Sequence, residues 1–269
     1  MTASLADLLR AARVYDLEQP RFFGMPIFPS HRPGYFYALH RRHRDAYRPE
    51  QHGPRSSASG TLTMMEHSGT HIDALCHQAC GLTMFGDVPV DGVETPAGFT
   101  RLGVETVPPL LCRGVLLDVA GWKGQPALPP RYGITADDLQ GCAAAQGVAV
   151  RRGDVLLVRT GFGAVWHDEA EYLQAAGVAK SGTLWAAGQG VTAVGADNMS
   201  WDVPDERDPE TGATLFGHAY LLPQKGVYIM ENLNLEELAR DRRYAFAFVG
   251  IPLKFTGATG SPLRPLALV

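Results

Sequence analysis

Five short apolar runs constrain this chain more than any other feature. They are Gly114–Ala120 (Gly-Val-Leu-Leu-Asp-Val-Ala), Asp154–Thr160 (Asp-Val-Leu-Leu-Val-Arg-Thr), Val191–Ala196, Val227–Met230 and Ala245–Ile251. Their β-branched content favours strands over short helices. Helical patterns sit between and around them. Thr135 followed by Asp138 resembles a capping box and opens a helix to about Gln146. Asn234 with Glu237 reads as a second box, for a helix ending near Arg240. Further helices are expected around Glu169–Ala176 and Gly182–Ala187. At the start, Ser4 can cap a helix to about Arg13 whose Leu5, Leu8, Leu9 and Ala12 form one stripe. Strands interleaved with helices define an α/β fold. No repeat, low-complexity tract or linker divides the chain, so residues 1–269 are expected to form one domain.

Residues 18–60 break this rhythm. They are rich in Pro, Gly, aromatics and His, and predict a long irregular arm, with some short strands, of the kind that serves as a lid or pocket wall. A basic cluster inside it, His40-Arg41-Arg42-His43-Arg44, reads as a solvated loop, with an anion-facing edge as the lesser alternative.

An apolar content of 45% with 19% charged residues excludes a disordered chain. The balance of 24 basic against 28 acidic residues gives no reason to expect nucleic acid. No apolar run approaches the roughly 20 residues of a membrane helix. Met1 to Arg10 lack the basic start and apolar block of a signal peptide. The four cysteines, Cys76, Cys80, Cys112 and Cys142, show no paired framework and read as reduced, mostly buried thiols. A cytoplasmic location is the expectation.

Chemistry concentrates in one segment, His67-Ser68-Gly69-Thr70-His71-Ile72-Asp73-Ala74-Leu75-Cys76-His77. Alternation through Thr61, Thr63 and Met65 leads a strand into it. Gly69 rules against a continuous helix through the cluster. In an extended segment His71 and Asp73 share a side. A helix starting at Asp73 would carry His77 on the same face one turn on. His67 and His71 then approach across the Gly69 bend, giving two imidazoles and one carboxylate around a point with a third imidazole just outside. Imidazole nitrogens bind zinc or manganese at about 2.0–2.2 Å, and a carboxylate balances charge. Three ligands leave room for water, whose pKa a metal lowers towards ~7. His77, outside the ligand set, can then carry protons. Ser68 and Thr70 are candidate supports for the ligands.

Two downstream residues are further candidates. Glu231 ends the run Val227-Tyr228-Ile229-Met230-Glu231, and a carboxylate on an apolar strand face is costly unless paired or metal-bound. His218, in Phe216-Gly217-His218-Ala219-Tyr220, is a plausible partner. Together they can complete a second metal position, with Asp73 bridging.

The pattern His67-x-Gly69-Thr70-His71-x-Asp73-x-x-x-His77 resembles the signature of the metal-dependent cyclase-type hydrolases, which include bacterial kynurenine formamidase and isatin hydrolase. Tyr15-Asp16-Leu17, Gly24-Met25-Pro26 with Pro29, Gly195-Ala196-Asp197-x-x-Ser200, His218 to Leu222 and Glu231-Asn232-Leu233 resemble other shared stretches. The resemblance implies a swivelling β/β/α-type fold and C–N bond hydrolysis in a small amide. It implies His67, His71 and Asp73 as ligands of Zn or Mn, and His77 as acid/base. In two-metal members His218 and Glu231 join Asp73 on a second ion. It also implies a homodimer or larger homo-oligomer. Formamidases usually carry Pro two residues after the motif Asp, where this chain has Leu75. That departure leaves the ligand positions intact and sets the chain apart from the formamidase pattern.

The expected function is therefore metal-dependent hydrolysis of a small, aromatic or cyclic amide, imide or lactone. Phe23, Tyr35 and Trp201, with Phe22 and Phe36, are candidate pocket-lining residues. Two other functions fit parts of the pattern. An iron(II) oxygenase uses the same two-His, one-carboxylate composition, but needs neither His77 nor Glu231. A non-catalytic, metal-stabilised binding protein needs no proton carrier.

Overall fold

The computed structural model describes residues 4–269; Met1 to Ala3, part of the stretch read for a signal sequence, lie outside them. Nine strands form the main sheet: β1 (Val14–Asp16), β2 (His71–Asp73), β3 (Leu110–Asp118), β4 (Val155–Arg159), β5 (Ala193–Ala196), β6 (Tyr228–Glu231), β7 (Ala245–Gly250), β8 (Gly260–Pro262) and β9 (Leu266–Leu268). Their spatial order is β1-β9-β7-β3-β4-β5-β6-β2-β8. The four central strands, β3 to β6, are parallel, and the flanks are antiparallel. All five apolar runs became strands of this sheet.

Burial on both faces explains why the central runs are continuously apolar. Val115, Leu117, Leu156, Val158, Val194 and Ile229 enter one core. Their alternates Leu116, Val155, Leu157, Ala193 and Met230 enter a second core on the other face.

Five helices bear on the sequence expectations: α1 (Leu5–Ala11), α2 (Ala136–Gln146), α3 (Lys180–Gly188), α4 (Phe216–Tyr220) and α5 (Glu236–Arg240). The Thr135–Asp138 capping box of α2 is present on both sides, and Gly147 closes the helix in a left-handed conformation. The expected Asn234–Glu237 box is not. Leu235 is the cap of α5, and Asn234 only accepts a 3.4 Å bond from Glu236 N. The helix expected over 169–176 is a single turn, Glu169–Tyr172. α1 is capped by Ser4 as expected, but none of its residues is buried.

The arm is irregular, as predicted. Its strands Phe36–Arg41 and Ser59–Thr63 pair as an exposed hairpin. The basic residues 40–44 are all exposed, and Arg42 bonds Asp45 locally. All four cysteines are free; Cys80, against expectation, is exposed. Among the described residues no helix is long and apolar enough to cross a membrane.

Strand β8 passes beneath the motif segment and pairs with β2, Gly260 opposite Asp73. A Cβ at Gly260 would meet His67 Cε1 at 2.7 Å and Ile72 O at 3.0 Å. Gly260→Ala is therefore expected to destabilise the fold by about 1–3 kcal/mol, the usual cost of overpacking. Thermal unfolding checks this; an unchanged Tm would show that the two strands separate freely at that point.

Candidate active site

The site begins where β2 joins the sheet. β2 pairs antiparallel with β6, placing His71 opposite Glu231 and Asp73 opposite Ile229. Extended geometry turns His71 and Asp73 to one side while Ile72 packs into the opposite core.

The bend before β2 is held from outside. Gly69 has φ +62°, and a Cβ there would collide with the Arg21 guanidinium. Arg21 donates to the carbonyls of Ser68 and Thr70, on either side of the bend, and pairs with Glu18 at 3.0 Å. Thr70 Oγ1 donates to Asn232 O at 2.6 Å, and Asn232 Nδ2 donates to Gly69 O at 3.0 Å. Ser68 Oγ donates to Met65 O. Ser68 and Thr70 thus hold the bend rather than touching the candidate ligands' side chains.

After Asp73 the chain makes one turn, not the expected helix. Ala74 N donates to Thr259 O and Cys76 N to Leu102 O, so only His77 N closes a local bond, to Ala74 O at 3.0 Å. That turn still brings His77 over the site. Its ring lies 4.0 Å from that of His67 and 6.1 Å from that of His218, centroid to centroid.

His218 arrives on α4. Asp202 accepts from the backbone N–H groups of Gly217 and His218 and bonds His218 Nδ1 at 2.8 Å. Its imidazole Nε2 therefore points inward, 3.0 Å from Glu231 Oε1 and 3.4 Å from Asp73 Oδ2. His71 is fixed the same way. Nδ1 bonds Gly69 O at 2.7 Å, and Nε2 lies 3.3 Å from Glu231 Oε2 and 3.4 Å from Asp73 Oδ1. His67 Nδ1 lies 2.8 Å from Asp73 Oδ1. Asp73 thus turns one oxygen to His67 and His71 and the other to His218.

All five side chains are buried, and among the described residues His71 Nε2, Asp73 Oδ2 and Glu231 Oε1 make no well-directed hydrogen bond. Poorly satisfied polar atoms in one buried cluster cost several kcal/mol without a compensating group. A divalent cation fits this donor set. The ligand atoms of His67, His71 and Asp73 lie within 4.8 Å of one another, as do those of Asp73, His77 and His218. Imidazoles held through the other ring nitrogen by a carbonyl or carboxylate are the usual metal-ligand arrangement. The site is thus suited to a divalent metal.

The electrostatics agree. Burial pushes Glu231 up, against His218 and His71; burial also opposes ionisation of Asp73, but the surrounding imidazoles hold it well below the ordinary carboxylate range. Burial pushes His218 down, yet Asp202, Asp73 and Glu231 outweigh it and raise it well above its ordinary value. A field that binds a proton this firmly also attracts a metal cation, and the two compete.

A cavity of about 100 Å³ opens on this cluster, lined by His67, His77, His218 and Glu231, by Met199 and Ser200, and by Phe28, Ser30 and His31 of the arm. The arm is a wall of the pocket, as its composition predicted. Its aromatic residues are not those expected. Phe23 and Tyr35 line a separate cleft with Met25, Ile27 and Arg32. Trp201 is fully buried in the core with Nε1 bonded to Thr183, because residues 198–202 form a tight turn closed by Asn198. His31, which the sequence reading missed, stands 5.0 Å from His67, ring to ring. Desolvation is the main cause that lowers it to about 4. No spacing relates His31 or Asp202 to the motif, so no sequence signal marked them.

Residues 15–203 match the family model described as a putative cyclase, and the chain belongs to that family. Among solved structures, one described as a novel cyclase is 32% identical, with a TM-score of 0.84, over 97% of this chain and 88% of that one. Isatin hydrolase A from Ralstonia solanacearum superposes with a TM-score of 0.73 at 22% identity, covering 100% of this chain and 98% of its own. Kynurenine formamidase from Bordetella avium is 26% identical over 257 residues, 94% of this chain and 96% of the relative. The fold is that of the cyclase family, and the protein is an enzyme of it.

Metal binding is expected to raise Tm measurably, since saturation at 100 times Kd corresponds to about 2.7 kcal/mol. Unfolding with Zn or Mn added, against chelator-treated protein, measures this. Asp73→Asn should abolish the difference; a Tm indifferent to metal in the unsubstituted chain would count against the centre.

Proposed function

We propose that this protein is a metal-dependent hydrolase that cleaves a C–N bond in a small, aromatic or cyclic amide. The observation that carries this reading is the pairing of two unlike kinds of imidazole in one pocket. His71 and His218 are each locked through Nδ1 and present Nε2 to buried carboxylates. His77 borders the same cavity, and no hydrogen bond to its ring occurs among the described residues. Locked imidazoles suit ligands; an unlocked one suits proton transfer.

The names of the relatives, kynurenine formamidase and isatin hydrolase, support amide hydrolysis as the reaction class. His67, His71 and Asp73 would hold a divalent ion, which would act as a Lewis acid and lower the pKa of a water at the site. Zn or Mn suits these ligands. The two oxygens of Asp73, one turned to His67 and His71 and the other to His218, support a second ion with Asp73 between.

The chain's own residues supply the rest. Burial is the largest influence on His77 and holds it well below its ordinary value, so its ring is neutral at pH 7. A neutral ring beside Asp73 can take a proton as the water attacks and deliver it to the departing nitrogen. Phe28, Ser30 and His31 close the pocket and set what fits. The substrate is a small molecule, and a cytoplasmic homo-oligomer is the proposed setting.

A screen of N-formylkynurenine, isatin, cyclic imides and lactones with Zn or Mn added tests the class. On the best substrate, His77→Ala is expected to keep metal and Tm but lose about 10²–10⁴-fold in kcat. Wild-type turnover in that variant would remove His77 from the mechanism.

A further inference from the structure

His67 differs from the other two ligand histidines because both its nitrogens are engaged. Nδ1 lies 2.8 Å from Asp73 Oδ1, and Nε2 lies 2.7 Å from Thr259 Oγ1. The direction of the second bond follows from what Thr259 does next. Its hydroxyl donates to Glu66 Oε1, which also accepts from Thr259 N at 3.1 Å. A carboxylate is acceptor-only and binds donors more strongly than a neutral ring nitrogen does. The one hydroxyl hydrogen therefore goes to Glu66, and the hydroxyl oxygen is left to accept. His67 Nε2 must then be the N–H, and its lone pair sits on Nδ1, facing Asp73. A lone pair and a carboxylate oxygen at that distance repel unless a proton or a cation lies with them.

We infer that Glu66 and Thr259 are positioning residues that fix the tautomer of His67, so that it meets the metal through Nδ1 while His71, and His218 where a second ion binds, use Nε2. This rests on the metal reading above and adds a mixed ligation that the motif spacing does not specify. It also gives the C-terminal segment a role. Thr259 reaches the site only because its own carbonyl accepts from Ala74 N at 2.8 Å, just after Asp73. Gly260 then leaves space beneath the ring for His67 to lie against the strand.

Two measurements test it. In zinc-loaded protein labelled with ¹⁵N-histidine, long-range ¹H–¹⁵N spectra report which nitrogen carries the metal. Nδ1 is expected for His67 and Nε2 for His71, and for His218 where a second ion binds; zinc on Nε2 of His67 overturns the inference. In a chelator competition, Thr259→Val is expected to weaken zinc binding about 10- to 100-fold while Thr259→Ser stays within about threefold of wild type. Equal affinity in Thr259→Val, at unchanged Tm, overturns it as well. If Thr259→Val does not fold, the spectra of the unsubstituted protein decide alone. Failure of that protein to take up zinc at all would instead defeat the metal reading, and the inference with it.

Discussion

Everything around the site depends on two buried carboxylates carried by the adjacent strands β2 and β6. Asp73 and Glu231 sit in a protein interior, 1% and 4% exposed, and among the described residues no lysine or arginine pairs with either. Two charges in such a place are tolerated only if something compensates them. Three imidazoles surround them, two of them held through Nδ1 by Gly69 O and Asp202. The neighbouring parts follow from that need. Asp202 fixes His218, the Gly69 carbonyl fixes His71, Asn232 donates to that carbonyl, and Arg21 holds the carbonyls on either side of it.

Much of this was legible in the sequence because it is local. The His67-to-His77 spacing, the Gly69 break and the alternation of His71 with Asp73 depend only on backbone periodicity. Glu231 was legible as an acid ending an apolar run. The strands were legible because burial on both faces leaves continuous runs such as Val155–Val158. Residues recruited by tertiary structure were not. Asp202, His31 and Thr259 lie far along the chain from the motif, and nothing in their neighbourhoods marks them. The helix expected after Asp73 failed for the same reason. Its amides bond Leu102 and Thr259, partners that no local pattern contains. Trp201 was misplaced because an aromatic ring in a polar stretch resembles a pocket wall until its indole N–H is seen bonded to Thr183.

The topology explains why the site lies at this point of the sheet. In open α/β sheets the functional crevice lies beyond the carboxyl ends of the parallel strands. Here β3 ends at Asp118, β4 at Arg159, β6 at Glu231, and Asp197 follows directly on β5. Every central strand therefore delivers a polar residue to the same edge, but only one of them serves the site. The antiparallel approach of β2 next to β6 makes the difference, because it sets His71 and Asp73 beside Glu231.

The other three strand ends show what a structural solution to the same problem looks like. Arg159 pairs with Asp118 at 2.9 Å and with Glu236 at 2.8 Å, and it donates to Pro126 O. Asp197 accepts from Thr160 N and Oγ1 and from Gly161 N, at 2.6–2.9 Å. These groups are satisfied by their own neighbours and hold loops in place. Glu231 has the same position on its strand but faces imidazoles instead, with His218 Nε2 3.0 Å from Oε1 and His71 Nε2 3.3 Å from Oε2. A chain able to neutralise Asp118 and Asp197 completely could have neutralised Glu231 in the same way, with one arginine or two amides. Holding Glu231 beside Asp73 with imidazoles alone costs stability, and a bound divalent cation would offset that cost. The contrast between those satisfied acids and the Asp73–Glu231 pair at the same sheet edge supports the metal reading independently of the motif.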